Sequence, residues 1–542
     1  MIQLSQSPSP NASEADSPDG GGPAVTSPAP RRPLPDFGPT DRLRGWLVTL
    51  MLTGFAALNR FWYLQSPTDG GTPVFDEKHY APQAWQVVTG GGIEDNPAYG
   101  LIVHPPVGKQ MIALGEAMFG YTPLGWRFTA ALSGTLLVLL TIRITRRLSR
   151  STLVGALAGI LLICDGMTFV SSRLGMLDIF QALFVLGAFG CLIVDRDVVR
   201  ERLARADAAG RIGLSPYGPR LGFRWWRFGA GLLLGLTLGT KWSGLYYIAF
   251  FGLMSVAFDV FARRAYGVEK PIAGALWRDT IPALGSLVLI PVGTYLASWS
   301  MWFASEDGYD RYSVGNSFAG KNPPGTDGPF AWVPDALRSL WHYQGETLAF
   351  HESLTNSNGN HHPWESKPWS WPMGLRPMLY YYADSSAGCG QSSCVKAVML
   401  IGTPAIWWLA LPMLAWALWR ACTRPDWRYA AVLVGYGAGF LPWFATLDRQ
   451  MYYFYAVPMA PFLVMGIALV LGDILRSGPV LRTEQGLRFL PAGFERQRLN
   501  LMLVCLYTAV VVANFVYLWP ILNGNPITPQ DWHDHLWLPS WR

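Results

Sequence analysis

The chain has 542 residues, of which 51% are hydrophobic and 14% charged, against roughly 25% charged in an ordinary soluble domain. Long apolar runs separated by short arginine-rich pieces specify an all-α polytopic membrane protein and exclude a soluble enzyme. A transmembrane barrel would instead need alternating segments of about ten residues. The net charge of +6 sorts by side of the membrane and leaves no nucleic-acid footprint.

Residues 1–45, rich in Ser, Pro, Gly and Asp, read as a disordered cytoplasmic tail without the apolar core of a cleavable signal peptide. The first span then acts as an uncleaved signal anchor. Eleven spans are expected at 46–65, 124–142, 151–170, 178–195, 228–241, 245–262, 281–300, 397–419, 429–446, 453–472 and 499–519. With the tail inside, 28 of the 42 lysines and arginines fall in inner segments. That is the bias of the positive-inside rule, and it favours an odd number of spans. A catalytic transmembrane module over 46–300 would carry an outer loop at 66–123, with the short apolar stretch 107–119 as an amphipathic interfacial helix. A larger outer loop, 301–396, would separate it from a C-terminal transmembrane module at 397–542.

The polar residues cluster at outer ends. Phe75-Asp76-Glu77 follows the first span, and adjacent carboxylates beside hydrocarbon are costly unless used. Asp76 could equally cap a helix beginning there. Glu77 would raise its pKa and an adjacent cation would lower it. His104-Pro105-Pro106 fixes an extended backbone, with Lys109 about a turn further on. Arg127, Arg173, Asp178 and Lys241 sit at one membrane depth on three hairpins. Each could snorkel to the interface, but together such cations could bind a lipid-borne phosphate. The second outer loop carries His342, His351, His361, His362 and Trp364, spaced unlike a compact metal motif. Arg449 is a further outer cation beside an aromatic belt. Cys389 and Cys394, in the same loop, suit a disulfide in an oxidising exterior or two free thiols. Cys164, Cys191 and Cys505 fall in spans as packing residues, and Cys422 in an inner loop.

In this order, these residues resemble the protein O-mannosyltransferases. The matching motifs are Phe75-Asp76-Glu77, His104-Pro105-Pro106 with Lys109, Trp126-Arg127, Ser172-Arg173 with Leu177-Asp178, and Lys241-Trp242 with Gly244-Leu245. They continue through His361-His362-Pro363-Trp364-Glu365-Ser366 to Trp371-Pro372 and Arg449-Gln450, so the likeness covers about residues 45–520. The resemblance implies a GT-C-type glycosyltransferase of the bacterial plasma membrane. Such enzymes move mannose from polyprenyl phosphate mannose to Ser or Thr hydroxyls of translocating polypeptides, with the secretion translocon as an implied partner. Eukaryotic members carry a β-trefoil domain in the equivalent outer loop, for which 301–396 is too short.

The expected roles follow. Asp76 is the general base of a single, inverting displacement, with Glu77 beside it. Arg127 and Lys241 hold the departing phosphate, helped by Arg173 and Lys109. Glu77 and His104 orient acceptor or sugar, Asp178 holds Arg173, and His361, His362, Trp364 and Arg449 line the substrate. No cofactor is required, although a divalent cation bridging Asp76, Glu77 and phosphate is compatible with the pattern. Three rivals remain: a related transferase moving another lipid-linked sugar, a transporter, which would need midplane charges and related halves, and a structural component of a secretion complex.

Overall fold

A computed structural model describes residues 41–91, 103–306, 308–314, 330–385, 388–476, 480–483, 486–489 and 493–542, with backbone alone at 480–483, 486–489 and 494. The expected tail up to residue 40, and parts of both outer loops, lie outside the described residues. The main elements begin with α1 (Arg42–Phe61), α2 (Glu77–Thr89), α3 (Val107–Phe119), α4 (Pro123–Ser149), α5 (Thr152–Ile163) and α6 (Gly166–Ser171). They continue with α7 (Asp178–Ala208), α8 (Trp225–Thr240), α9 (Gly244–Ala265) and α10 (Pro271–Ser298). After these come α11 (Asp335–Ser353), β1 (Met378–Ser385), β2 (Cys394–Leu400), α12 (Pro404–Thr423), α13 (Trp427–Thr446), α14 (Tyr453–Arg476) and α15 (Phe494–Asn523).

Among the described residues, seven helices are long and apolar enough to cross a membrane: α4, α9, α10, α12, α13, α14 and α15. The other four expected positions are helical but are not among these seven. α8 has 16 residues, α1 carries Arg60, and α7 runs on into a charged C-terminal half. The third expected span is broken. Asp165 caps α6 through Thr168 N–H at 3.0 Å and accepts from Trp407 Nε1 at 2.8 Å. Thr403 Oγ1 donates to the Cys164 carbonyl at 2.6 Å and accepts from Gly166 N–H at 3.0 Å. The backbone groups freed by the break are thus satisfied without water. The eighth expected span begins too early, because 397–400 belong to the antiparallel hairpin β1–β2, which the sequence reading did not include. Cys389 and Cys394 are disulfide-bonded at its loop end.

The interior is built on α14: 89% of its most apolar window is buried, against 17% for α10 at the rim. At one end of the bundle, ionic contacts tie helix ends together. Arg146 donates to Asp41 at 2.7 Å, Arg147 to Asp197 at 2.8 Å, and Arg476 to the Ser149 carbonyl at 3.2 Å. The opposite end holds α2, α3, α11 and the hairpin.

α10 contains two wide π turns, Leu276–Thr280 and Gly285–Leu289. Pro282 and Pro291 follow them, and proline removes the hydrogen bond to the carbonyl four residues back. α8 meets this helix through glycines. A Cβ on Gly231 would collide with the Ser286 carbonyl oxygen, and one on Gly235 would lie 2.8 Å from that of Pro291, so the close approach depends on small residues. Gly231→Leu is expected to cost about 1–3 kcal/mol, seen as a lower thermal midpoint in detergent. Gly229→Ala, whose Cβ would meet nothing closer than Cys191 Sγ at 3.8 Å, is expected to leave the midpoint unchanged.

Candidate active site

The two adjacent acids at the start of α2 face opposite ways. Glu77 is fully buried. Its Oε1 accepts from Arg127 Nε at 2.8 Å and Gly175 N–H at 2.7 Å; its Oε2 accepts from Arg127 Nη2 at 2.8 Å and Val74 N–H at 3.1 Å. Arg127 spends its remaining donors on the carbonyls of Leu64 and Pro67, at 3.1 and 2.8 Å. This is a bidentate ion pair in which every polar atom is used. Asp76 makes no capping hydrogen bond to α2, so the capping alternative is not realised. Its carboxylate lines a cavity of about 680 Å³ instead. Phe75, just before it, sits at φ +49°, an uncommon conformation for a bulky residue. The Phe75 ring stacks on Tyr380 at 4.3 Å and meets Phe454 edge-on at 6.3 Å.

The cavity gathers residues from widely separated elements: Asp76 and Tyr80 of α2, His104, Asp178 at the start of α7, Lys241 between α8 and α9, His351 on α11, and Arg449 and Tyr452 before α14. Lys241 Nζ donates to Asp178 Oδ1 at 2.7 Å and lies 5.1 Å above the Phe454 ring. Asp178 Oδ2 and Arg449 Nε are buried without hydrogen-bond partners among the described residues. Burial pushes the Asp76 carboxyl up to about 6; the Lys241 ammonium opposes this and the Asp178 carboxylate adds to it. Burial, with Lys241 next, holds the His104 imidazole well below its usual range. His351 is pushed down to about 4 by burial and the Arg449 guanidinium. As a neutral ring its Nδ1 accepts from Arg449 Nη2 at 3.0 Å. The site therefore brings together two neutral imidazoles, two cations and two carboxylates, Asp76 tuned upward and Asp178 bonded to Lys241.

Several expected residues sit elsewhere. Arg127 and Glu77 clamp α2 to α4 and do not reach the cavity. Arg173 donates to the carbonyls of Arg60, Trp62 and Tyr63 at 2.9, 2.5 and 3.0 Å, capping the end of α1. Asp178 therefore holds Lys241, and Arg173 finds its partners in carbonyls. Lys109 donates to the His104 carbonyl at 3.0 Å and fixes that backbone. His361, largely exposed, lies 3.1 Å from Asn356 and 3.7 Å from Glu365. His362 Nδ1 accepts from Trp364 N–H at 3.1 Å while its ring packs edge-on against Tyr452 at 5.4 Å. The Trp364 ring lies under the Arg376 guanidinium at 4.6 Å. Lys367, in the same segment, donates to the Arg449 carbonyl at 2.8 Å. This segment buttresses Arg449 from behind.

The sequence reading assigned no role to Tyr80, Gln181, Trp242, His351 or Tyr452, all of which line the cavity. For His351 the histidine spacing was tested only for metal, where it gave no signal. Glu77 is fully engaged by Arg127, so Asp76 and Glu77 do not form a paired metal ligand facing the cavity. Among the described residues one group, Asp310, His342 and Glu346, brings potential ligand atoms within 4.8 Å of one another, and none of the three lines the cavity. Removing one partner of a buried ion pair leaves the other uncompensated. Arg127→Ala is therefore expected to cost about 3–5 kcal/mol, measured as early thermal unfolding of the purified protein and a falling yield of folded material.

Comparison with known proteins identifies the family. Residues 122–304 match the family model described as dolichyl-phosphate-mannose-protein mannosyltransferase, and residues 336–541 match the C-terminal four-transmembrane region of protein O-mannosyltransferase. The chain is 59% identical over 520 residues to the polyprenol-phosphate-mannose–protein mannosyltransferase of Mycobacterium tuberculosis (strain CDC 1551 / Oshkosh), covering 96% of each chain. It is 46% identical to the protein of that name from Corynebacterium glutamicum, over 90% of this chain and 92% of the relative. The fold is shared with the S. cerevisiae protein O-mannosyltransferase Pmt1-Pmt2 complex bound to the sugar donor, at a TM-score of 0.67 and 14% identity over 92% of this chain and 93% of that one. On these matches the chain belongs to the protein O-mannosyltransferase family, with a GT-C-type fold.

Proposed function

We propose that this protein transfers mannose from a polyprenyl phosphate mannose donor to Ser or Thr hydroxyls of polypeptides, with Asp76 as general base. The observation that carries the assignment is the placement of Asp76 and Lys241 in one cavity, while Glu77 and Arg127 are consumed by each other. The acceptor hydroxyl oxygen attacks the anomeric carbon, and its proton passes to the Asp76 carboxylate. The bond from that carbon to the phosphate oxygen breaks on the opposite face, so configuration inverts. The departing phosphate gathers negative charge, which Lys241 and the unpartnered Nε of Arg449 are positioned to stabilise. In this reading Lys241 keeps its expected role, and Arg449 takes the place of Arg127, Arg173 and Lys109. Neutral His104 and His351 supply hydrogen-bonding capacity for sugar or acceptor without competing for the phosphate as cations. A base whose pKa is near 6 is ionised at neutral pH and still accepts a proton more readily than an exposed carboxylate.

The orientation proposed is multi-pass in the plasma membrane, with the N-terminus inside and the cavity outside. The alternation of inner arginines with outer site residues along all eleven expected spans supports it. An outward cavity would meet polypeptides as they emerge, which makes the secretion translocon a reasonable partner. A transferase using a different lipid-linked sugar is the second reading, favoured only by a cavity that carries no group specific to mannose.

Asp76→Asn is expected to lower transfer to a Ser/Thr peptide by about 10²–10⁴-fold in a purified assay with mannosyl-phosphoryl-polyprenol. Near-normal turnover would remove the assignment, and equal use of an aminoarabinose donor would favour the second reading. Because the working form is the carboxylate, kcat/KM is expected to rise as pH passes upward through about 6 and to fall below it. Asp76→Asn is expected to abolish that acid limb, which a pH-rate profile from 5 to 8 tests.

A further inference from the structure

A second cavity, of about 540 Å³, lies at the other end of α8 from Lys241 and is lined by Arg220, Arg224, Arg227, Trp277, Arg278 and Asp279, among others. The 16 residues of α8 separate the two cavities by about 24 Å, close to the thickness of the hydrocarbon core, so they open at opposite membrane faces. The mannosyl transfer described above uses no residue of this one. We propose that it binds the phosphate-bearing headgroup of an anionic phospholipid.

The argument begins with charge. Arg224 is fully engaged, donating Nη1 to Asp259 at 2.6 Å and Nε to Asp195 at 3.0 Å. Arg263 likewise donates to both oxygens of Asp279, at 2.7 and 3.0 Å. The three carboxylates of this network face five arginines, namely Arg220, Arg224, Arg227, Arg263 and Arg278, which leaves two positive charges over. Arg227 is the buried member of the surplus. It is 2% exposed and makes only long contacts, 3.5 Å to Asp259 and 3.4 Å to the Asp279 carbonyl. Its Nε has no hydrogen-bond partner among the described residues. Arg227 thus brings to the cavity wall a buried positive charge that its neighbours hold only by long contacts, and a buried charge calls for an anion close by. Arg220 stands exposed at the rim, and Arg278 reaches it with Nη2 on Ser215 Oγ at 3.0 Å.

Shape then selects a lipid over a soluble phosphate. The π turn Leu276–Thr280 puts Trp277, Arg278 and Asp279 at the cavity, and such turns recur at functional sites. Trp277 is 75% exposed and Ile281 67% exposed, both on α10, the helix that turns most of its surface outward from the bundle. The ligand therefore meets a cationic pocket and an apolar, Trp-bearing flank together, which matches a headgroup with its acyl chains alongside. Under the orientation proposed above this is the inner leaflet.

The test uses the full-length protein purified in mixed micelles of phosphatidylcholine and phosphatidylglycerol, with retained lipid counted by native mass spectrometry. Selective retention of phosphatidylglycerol is expected for the wild type. Arg220→Gln with Arg278→Gln removes two rim charges and leaves the buried ion pairs in place. At about fivefold per lost charge, retention is expected to weaken about thirtyfold. Mannosyl transfer in detergent reports that the variant is folded, and Trp277→Ala, which keeps every charge, is the second route to the same loss. Equal retention of phosphatidylglycerol in wild type and variants overturns the proposal. So does thermal protection by inorganic phosphate that matches protection by phosphatidylglycerol, since the site would then belong to a soluble anion.

Discussion

The buried pair between Glu77 and Arg127 is the constraint on which the cavity depends. Glu77 opens α2 and Arg127 sits in the second turn of α4, so their bond fixes the entry of one helix against the flank of another. The same carboxylate reaches Gly175 N–H in the turn before α7, which brings Asp178 into register. Consecutive residues at a helix start point about 100° apart. Once Glu77 is anchored toward α4, its neighbour Asp76 must face away from it, into the cavity. Such pairs add little net stability against a well-packed apolar alternative. What this one supplies is direction.

The cations divide by the geometry of what they hold. Arg127 and Arg173 have rigid planar forks, and each meets a fixed set of oxygens: a carboxylate with two carbonyls in one case, three carbonyls at the end of α1 in the other. Planar guanidinium suits that kind of permanent bracing. Lys241 presents a compact charge on a flexible stem, bonded to one oxygen of Asp178 and facing aromatic rings. Its single charge is freer to reorient than the braced guanidinium groups. Arg449 stands between the two cases, braced through His351 and Lys367 yet with one donor unspent.

Burial sets the chemistry of the remaining groups. Asp76, His104 and His351 are each partly buried in the cavity wall, and desolvation penalises the charged form of each. The carboxyl moves up and the imidazoles move down. The result is a carboxyl that takes up a proton closer to neutral pH than an exposed one, beside two neutral rings.

The sequence by itself determined the all-α membrane class and most of the stretches along which its helices form. These follow from composition and local spacing, and each residue carries that information without its partners. It also singled out Asp76 and Lys241, which the fold brings to one cavity. It named Asp76 as the base through the family resemblance, but the residues alone could not separate it from Glu77, because adjacent acids look alike until one finds a partner 50 residues away. It could not tell Arg127 and Arg173 from Lys241, since all lie at one depth and only packing decides which donors are spent on carbonyls. The β1–β2 hairpin, the break at Cys164–Asp165 and the arrival of His351 in the cavity were likewise decided by tertiary contacts. Hydropathy reports how deeply a residue is buried, whereas the direction of a polar side chain depends on groups that only the folded chain brings within hydrogen-bonding distance.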